Sequence, residues 1–235
     1  MTAVRTVGFL LFPDLLQLDF TGPYAVLAQA PDVSVRLVAK TPGPVTSSDG
    51  LIFQPNASFA CAGDLDLIVV PGGAGIAPLL TDGETLAFLR KASAACRFTA
   101  SVCTGSLVLG AAGLLRGRRA TTHWQSLDLL PLLGADPVRE RVVFDGDIVT
   151  AAGVSAGIDM ALSLVDRIWG DEAAQLIQLG MEYSPCPPYD SGSPDTAPVS
   201  VVQALDARNE QRQQARKEAV RAAARALPPA TGSGQ

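Results

Sequence analysis

Two short runs constrain the fold more than any other feature of the chain: L-D-L-I-V-V at 65–70 and R-F-T-A-S-V at 97–102. Their nearly unbroken apolar character predicts strands covered on both faces, a property of inner strands in a parallel sheet. Between them lies the helix-like E-T-L-A-F-L-R-K-A-S-A-A, and upstream V-G-F-L-L-F, Y-A-V-L-A-Q-A and V-S-V-R-L-V-A repeat the alternation. Strand–helix–strand order of this kind predicts an α/β domain around a mostly parallel sheet with helices on both faces. At 141–150, R-V-V-F-D-G-D-I-V-T predicts a β-hairpin, because two β-branched runs flank the tight-turn pair Asp145-Gly146. A long helix is expected from Ser155 to Leu179. The proline-rich stretch 183–198 can be neither helix nor inner strand. A last helix is expected over Val199–Ala226, its arginines (208, 212, 216, 221 and 225) forming a solvated face.

Length and charge exclude several classes. At 235 residues the chain can bury one substantial core without needing a second domain. Its net charge of −5 and pI near 4.9 argue against a generalised basic surface for nucleic acid. The apolar run near the start is stopped by Pro13 and Asp14 far short of a membrane span and lacks a small-residue cleavage site. The expected location is therefore the cytoplasm. Four cysteines (Cys61, Cys96, Cys103, Cys186) are scattered without a C-x-x-C pair, and His123 is the single histidine. Neither a disulfide framework nor a structural zinc site is supported, and no metal site is expected.

Chemistry concentrates where strands end. Cys103, in A-S-V-C-T-G-S-L, stands where a buried strand gives way to a helix, the place where sites form in open α/β sheets. The helix behind it is expected to lower the thiol pKa. The strand-to-helix corner also matches the strained turn that lifts a nucleophile out of a sheet. The alternative is an inert core cysteine. P-G-G-A-G at 71–75 follows another strand, so Gly72 and Gly73 could bring backbone amides to a developing anion, or simply make a turn. Asp19, in the turn-like L-D-F-T-G-P, sits between apolar neighbours that would raise its pKa and make it a usable acid or base; a cap is the alternative. His123 is read as structural, and Cys61, Cys96 and Cys186 as incidental.

Taken together, F-L-L-F-P-D-L-L-Q-L-D-F-T-G-P, V-V-P-G-G-A-G, S-V-C-T-G-S-L-V-L-G-A-A-G-L-L-R-G-R-R-A-T-T-H-W and S-P-D-T-A-P resemble the PfpI-like superfamily, and within it the isocyanide hydratase branch. The resemblance implies a flavodoxin-like three-layer sandwich of the class I glutamine amidotransferase kind, a homodimer, and no metal or organic cofactor. It divides the chain into an α/β domain at 1–198, a helix at 199–226 packed on or beside it, and a flexible tail at 227–235. Cys103 would be the nucleophile, Asp19 its acidic partner, and Thr104 a residue that places substrate or water. Gly72, Gly73 and Val154 would line the substrate or oxyanion site, together with the Thr104 amide. Threonine at 104, where many relatives carry histidine, speaks against Cys-His peptidase chemistry. The implied reaction is hydration of a small organic isocyanide to an N-substituted formamide through a thioimidate on Cys103, in a largely apolar pocket. The rivals are a glyoxalase-like, deglycase-like or redox-responsive relative, and a sensing domain related to AraC-type regulators.

Overall fold

The two apolar runs lie side by side at the centre of a seven-stranded sheet. The computed structural model describes residues 4–227. Along the chain, β1 (Thr6–Leu11), α1 (Gln17–Leu27) and β2 (Ser34–Ala39) come first, followed by short strands β3 (Val45–Thr46), β4 (Ile52–Phe53) and β5 (Ala57–Ser58). The central pair is β6 (Leu67–Val70) and β7 (Phe98–Val102), separated by α2 (Ile76–Leu79) and α3 (Gly83–Ala95). After α4 (Gly105–Ala111) and β8 (Arg119–Ala120), a 3-10 stretch over Trp124–Leu133 leads to β9 (Asp136–Pro137). The hairpin β10 (Val142–Asp145) and β11 (Ile148–Ala151) precedes α5 (Ala156–Trp169), α6 (Asp171–Gly180) and α7 (Val199–Ala226).

The main sheet runs β10-β11-β7-β6-β1-β2-β5. Its pairings are parallel except for β10 against β11. From β1 the chain builds outward through β2 and β5, then crosses back to β6 and continues the other way. This puts the switch in strand order between β1 and β6, where the carboxyl ends of open sheets hold ligands. Helices α1, α5 and α6 pack together, while α4 joins α2, α3, the 3-10 stretch and α7. Leu67, Ile68, Val69 and Val70 are fully buried. At about 1.5–3 kcal/mol for each fully buried side chain, β6 is a firm base for the loops at its end.

Two expectations change. The helix expected over 155–179 is two, because Gly170 adopts φ 94° and turns the chain between α5 and α6. L-D-F-T-G-P is not a turn but lies within α1, despite Pro23. There the packing of α1 against α5, with Gly22 close to Ile158, overrides the local breakers. The tail expected over 227–235 lies, beyond Leu227, outside the described residues.

Gly105 fixes how closely α4 approaches β6. A Cβ there would collide with the Val70 carbonyl oxygen and lie 2.8 Å from that of Pro71. Gly105→Ala is therefore expected to destabilise the fold by about 1–3 kcal/mol, despite alanine's better helix propensity. Urea unfolding would check it; an unchanged or raised midpoint would show that this approach is looser than the geometry requires.

Candidate active site

The site grows from the end of β7. Cys103 has φ 55°, a left-handed conformation that a non-glycine residue adopts only when its surroundings enforce it. Its N–H reaches the carbonyls of Ala151 (3.1 Å) and Ala152 (2.8 Å) at the end of β11. Its carbonyl accepts from Thr122 Oγ1 at 2.9 Å and Ser106 Oγ at 3.2 Å. The elbow is thus held by neighbours on both sides, and the side chain is buried.

Asp19 reaches the same place from the first turn of α1 and is fully buried. Its Oδ2 accepts the Gly72 amide at 3.0 Å, while Oδ1 has no hydrogen-bond partner among the described residues. The carboxyl interacts with the thiol of Cys103. Burial raises its pKa from 3.8 to about 7 against the opposing pull of the Gly72 amide and the thiol. At neutral pH this is a carboxylic acid poised to give or take a proton, as the apolar setting of Asp19 predicts.

The glycines at the end of β6 act mainly by fitting. A Cβ on Gly72 would lie 2.6 Å from Thr104 N and 2.9 Å from Asp19 Oδ2, so only glycine lets these groups meet. The Gly73 amide donates to Thr104 Oγ1 at 3.2 Å, and Gly73 lines the cavity beside Cys103. The amides nearest the thiol belong to Thr104 and Val154. Val154 itself has φ 21°, a strained conformation that carries its amide toward the sulfur.

The expected lowering of the Cys103 pKa is reversed. Burial, then the Asp19 carboxyl, push the thiol above its ordinary value, and the Thr104 and Val154 amides and the Arg216 charge pull it down less. Helix α4 is only seven residues long, a short source of dipole for so deeply buried a sulfur. The resting pair is therefore protonated: a thiol beside an acid that titrates near neutrality.

Sequence reasoning also missed one wall of the site. A cavity of about 250 Å³ opens beside Cys103, Thr104 and Gly73, and α7 closes it with Asn209, Arg212 and Arg216. Arg216, expected on a solvated face, is buried and donates to Ser126 Oγ at 2.9 Å. His123 also lines the cavity; its Nδ1 accepts the Gln125 amide, and burial lowers its pKa to about 4, so it is neutral. The pocket mixes polar side chains with apolar ones such as Leu16, Ala74 and Val154, rather than being largely apolar. No local pattern joins residue 216 to residue 126; only tertiary packing does. Cys96, at the end of α3, donates to the Leu65 carbonyl and has its pKa raised to about 12 by burial, as an incidental thiol would.

A buried thiol on a left-handed elbow at a strand's carboxyl end, with an acid from the first helix, defines a flavodoxin-like protein built around a cysteine. The model of the DJ-1/PfpI family matches residues 5–167, and the chain belongs to that family. Over 196 residues it is 60% identical to an isonitrile hydratase from Pseudomonas putida, covering 83% of this chain and 86% of that protein. The crystal structure of a ThiJ/PfpI family protein from Pseudomonas syringae matches with a TM-score of 0.89 at 38% identity, covering 94% of this chain and 91% of the other. The transcriptional regulator GbdR of Pseudomonas aeruginosa is 30% identical over 181 residues, 74% of this chain but 49% of the regulator.

Two outcomes follow for Asp19→Asn. Removing the carboxyl removes a cause that raises the Cys103 pKa, so the pH profile of iodoacetamide alkylation should move to lower pH. A profile unmoved or moved upward would show that Asp19 does not face the thiol. Folding stability should respond as well. The folded chain keeps the Asp19 proton up to about pH 7, whereas the unfolded chain loses it near 3.8. Stability from this group is thus fully present below about pH 3 and falls as pH rises through 3.8 to 7, by roughly 4 kcal/mol in all at 1.36 kcal/mol per pK unit. Urea midpoints measured across that window should fall less in Asp19→Asn; equal slopes would refute the assignment.

Proposed function

We propose that the protein hydrates organic isocyanides to N-substituted formamides through a covalent thioimidate on Cys103. The observation that carries this reading is the Cys103–Asp19 pair: a buried thiol on an enforced elbow, beside an acid whose pKa is near 7 and whose Oδ1 has no hydrogen-bond partner among the described residues. The likeness to the isonitrile hydratase of Pseudomonas putida supports it.

An isocyanide is hydrated at one atom, its terminal carbon, which must gain hydrogen and oxygen in turn. In the first step the Cys103 sulfur bonds to that carbon while the proton shared by the thiol and Asp19 passes to the same carbon. This gives R–N=CH–S–Cys103 and leaves Asp19 as a carboxylate. Asp19 then draws a proton from water as the water oxygen bonds to carbon, and that proton passes to nitrogen. The resulting R–NH–CH(OH)–S–Cys103 collapses with cleavage of the C–S bond. Its hydroxyl proton returns to the pair as the formamide leaves. Covalent catalysis thereby divides one hard addition into two easier ones. Thr104 places water, and Gly72, Gly73 and Val154 shape the space around the sulfur. The chemistry calls for no metal or organic cofactor. On the same reading the protein is a cytoplasmic homodimer in which the domain at 1–198 carries the reacting groups and the helix at 199–226 closes over them.

The expected result is turnover of cyclohexyl isocyanide by the wild type, followed by formamide absorbance. It should be abolished in Cys103→Ala and reduced about 10²–10⁴-fold in Asp19→Asn, the range for losing a positioned acid–base group. Fresh, reduced enzyme that turns over methylglyoxal but no isocyanide would overturn the proposal.

A further inference from the structure

Among the described residues, the cavity beside Cys103 is lined by two arginines and by no carboxylate. Arg216 lies inside it, buried, with Nη1 donating to Ser126 Oγ and to Gln213 Oε1, both at 2.9 Å. Arg212, one helical turn earlier on α7, is exposed and lines the same cavity. Neither arginine makes an ion pair among the described residues, although α7 carries Asp206, Glu210 and Glu218. Asp206 instead accepts from Gln125 Nε2 at 2.7 Å and, with Glu210, lines a neighbouring cleft rather than this cavity. Asn209 Nδ2 donates to Gln125 Oε1 at 3.0 Å, which ties α7 to the 3-10 stretch and fixes the wall in place.

A buried guanidinium held only by neutral partners, with a second cation a turn away, is an expensive arrangement. Uncompensated charge is poorly tolerated inside a protein unless an opposite charge arrives. Burial and the Arg212 charge both disfavour the cationic form of Arg216, and an anion in the cavity would relieve both. The thiolate of Cys103 is one anion that Arg216 senses, but the thiol is protonated at rest and does not account for Arg212 at the rim. A planar guanidinium fork is well matched to a carboxylate. The cavity, at about 250 Å³, falls just below the roughly 300 Å³ at which pockets for larger organic ligands begin.

We propose that the substrate is a short isocyanide carrying a carboxylate on its R-group, held by Arg216 within the cavity and Arg212 at its rim while the isocyanide carbon meets Cys103. The inference rests on the hydratase reading and adds the class of R-group to it.

The test compares 3-isocyanopropanoate with its neutral methyl ester and with n-butyl isocyanide. The wild type should favour the carboxylate by at least tenfold in kcat/KM, through KM, and the preference should shrink as salt is raised. Arg212→Gln and Arg216→Gln should each reduce that preference about tenfold, and Arg212→Lys should restore most of it. A wild type that favours the neutral compounds, or an unchanged preference in both glutamine variants, would overturn the proposal. Folding of the buried variant is checked by its thermal transition; should it fail to fold, Arg212→Gln alone decides. A second readout keeps the two readings apart. N-formyl-β-alanine should protect Cys103 from iodoacetamide at concentrations about tenfold below those of N-propylformamide, and Arg212→Gln should remove the difference. Absence of all isocyanide turnover with this protection intact would refute the hydratase reading and leave the anion site standing. Equal protection by both compounds would refute the anion site, whatever the turnover.

Discussion

Everything at this site depends on the left-handed backbone at Cys103. For an L-residue that conformation costs roughly 1–2 kcal/mol. Four hydrogen bonds surround it, two from its N–H to Ala151 and Ala152 and two to its carbonyl from Thr122 and Ser106. At about 0.5–1.5 kcal/mol each they more than offset the strain. They also come from separate parts of the chain, so the elbow forms only when β7, β11 and α4 have docked. Gly105 lets α4 start against β6, and Gly72 lets Thr104 and Asp19 meet beside it. The strained residue and the small residues around it are one device for setting a sulfur where two strand ends and a helix converge.

That device holds a thiol, and the reaction explains why this suits it. A peptidase benefits from a resting thiolate because its substrate carbon receives the nucleophile alone. An isocyanide carbon must receive both sulfur and hydrogen. On the proposed mechanism, a pair that keeps one proton between Cys103 and Asp19 supplies both from the same place, without requiring a second acid. Burial of Asp19 serves this end, because an aspartate left at its ordinary pKa would have no proton to share at neutrality. The cost is borne by folding stability, as is common where a site needs a group that the core would rather exclude.

The sheet was legible in the sequence because its signals are local. Unbroken apolar runs mark β6 and β7, Asp145-Gly146 marks the hairpin, and Val199–Ala226 stands out between prolines and the chain's polar end. Cys103, Asp19 and the glycine turn after β6 were legible for a similar reason: each lies beside a strand's carboxyl end, which pattern alone can locate. The failures share the opposite property. Gly170 splits a helix whose apolar spacing continues on both sides, and L-D-F-T-G-P is helical only because α5 packs against it. The thiol pKa turned on how deeply the elbow is covered, which strand and helix patterns do not encode. Arg216 and Ser126 are ninety positions apart, so no window along the chain could pair them.

Helix α7 changes what the rest of the fold can select. In the proposed mechanism the carboxyl ends of β6, β7 and β11, with the first turn of α1, supply reacting groups and amides but little that distinguishes one R-group from another. On the proposed reading, the side chains that face the remainder of the substrate come from the 3-10 stretch and α7: Gln125, Asn209, Arg212 and Arg216 line the cavity. In a chain with net charge −5, two cations in this cavity are a local reversal of sign. Low-dielectric walls focus such a field toward the opening, so an anion is repelled by much of the surface and drawn to one place. Chemistry and recognition thus sit on different elements. On the proposed reading, the reacting pair depends on the sheet and α1, while the choice of substrate depends on a second helix, α7.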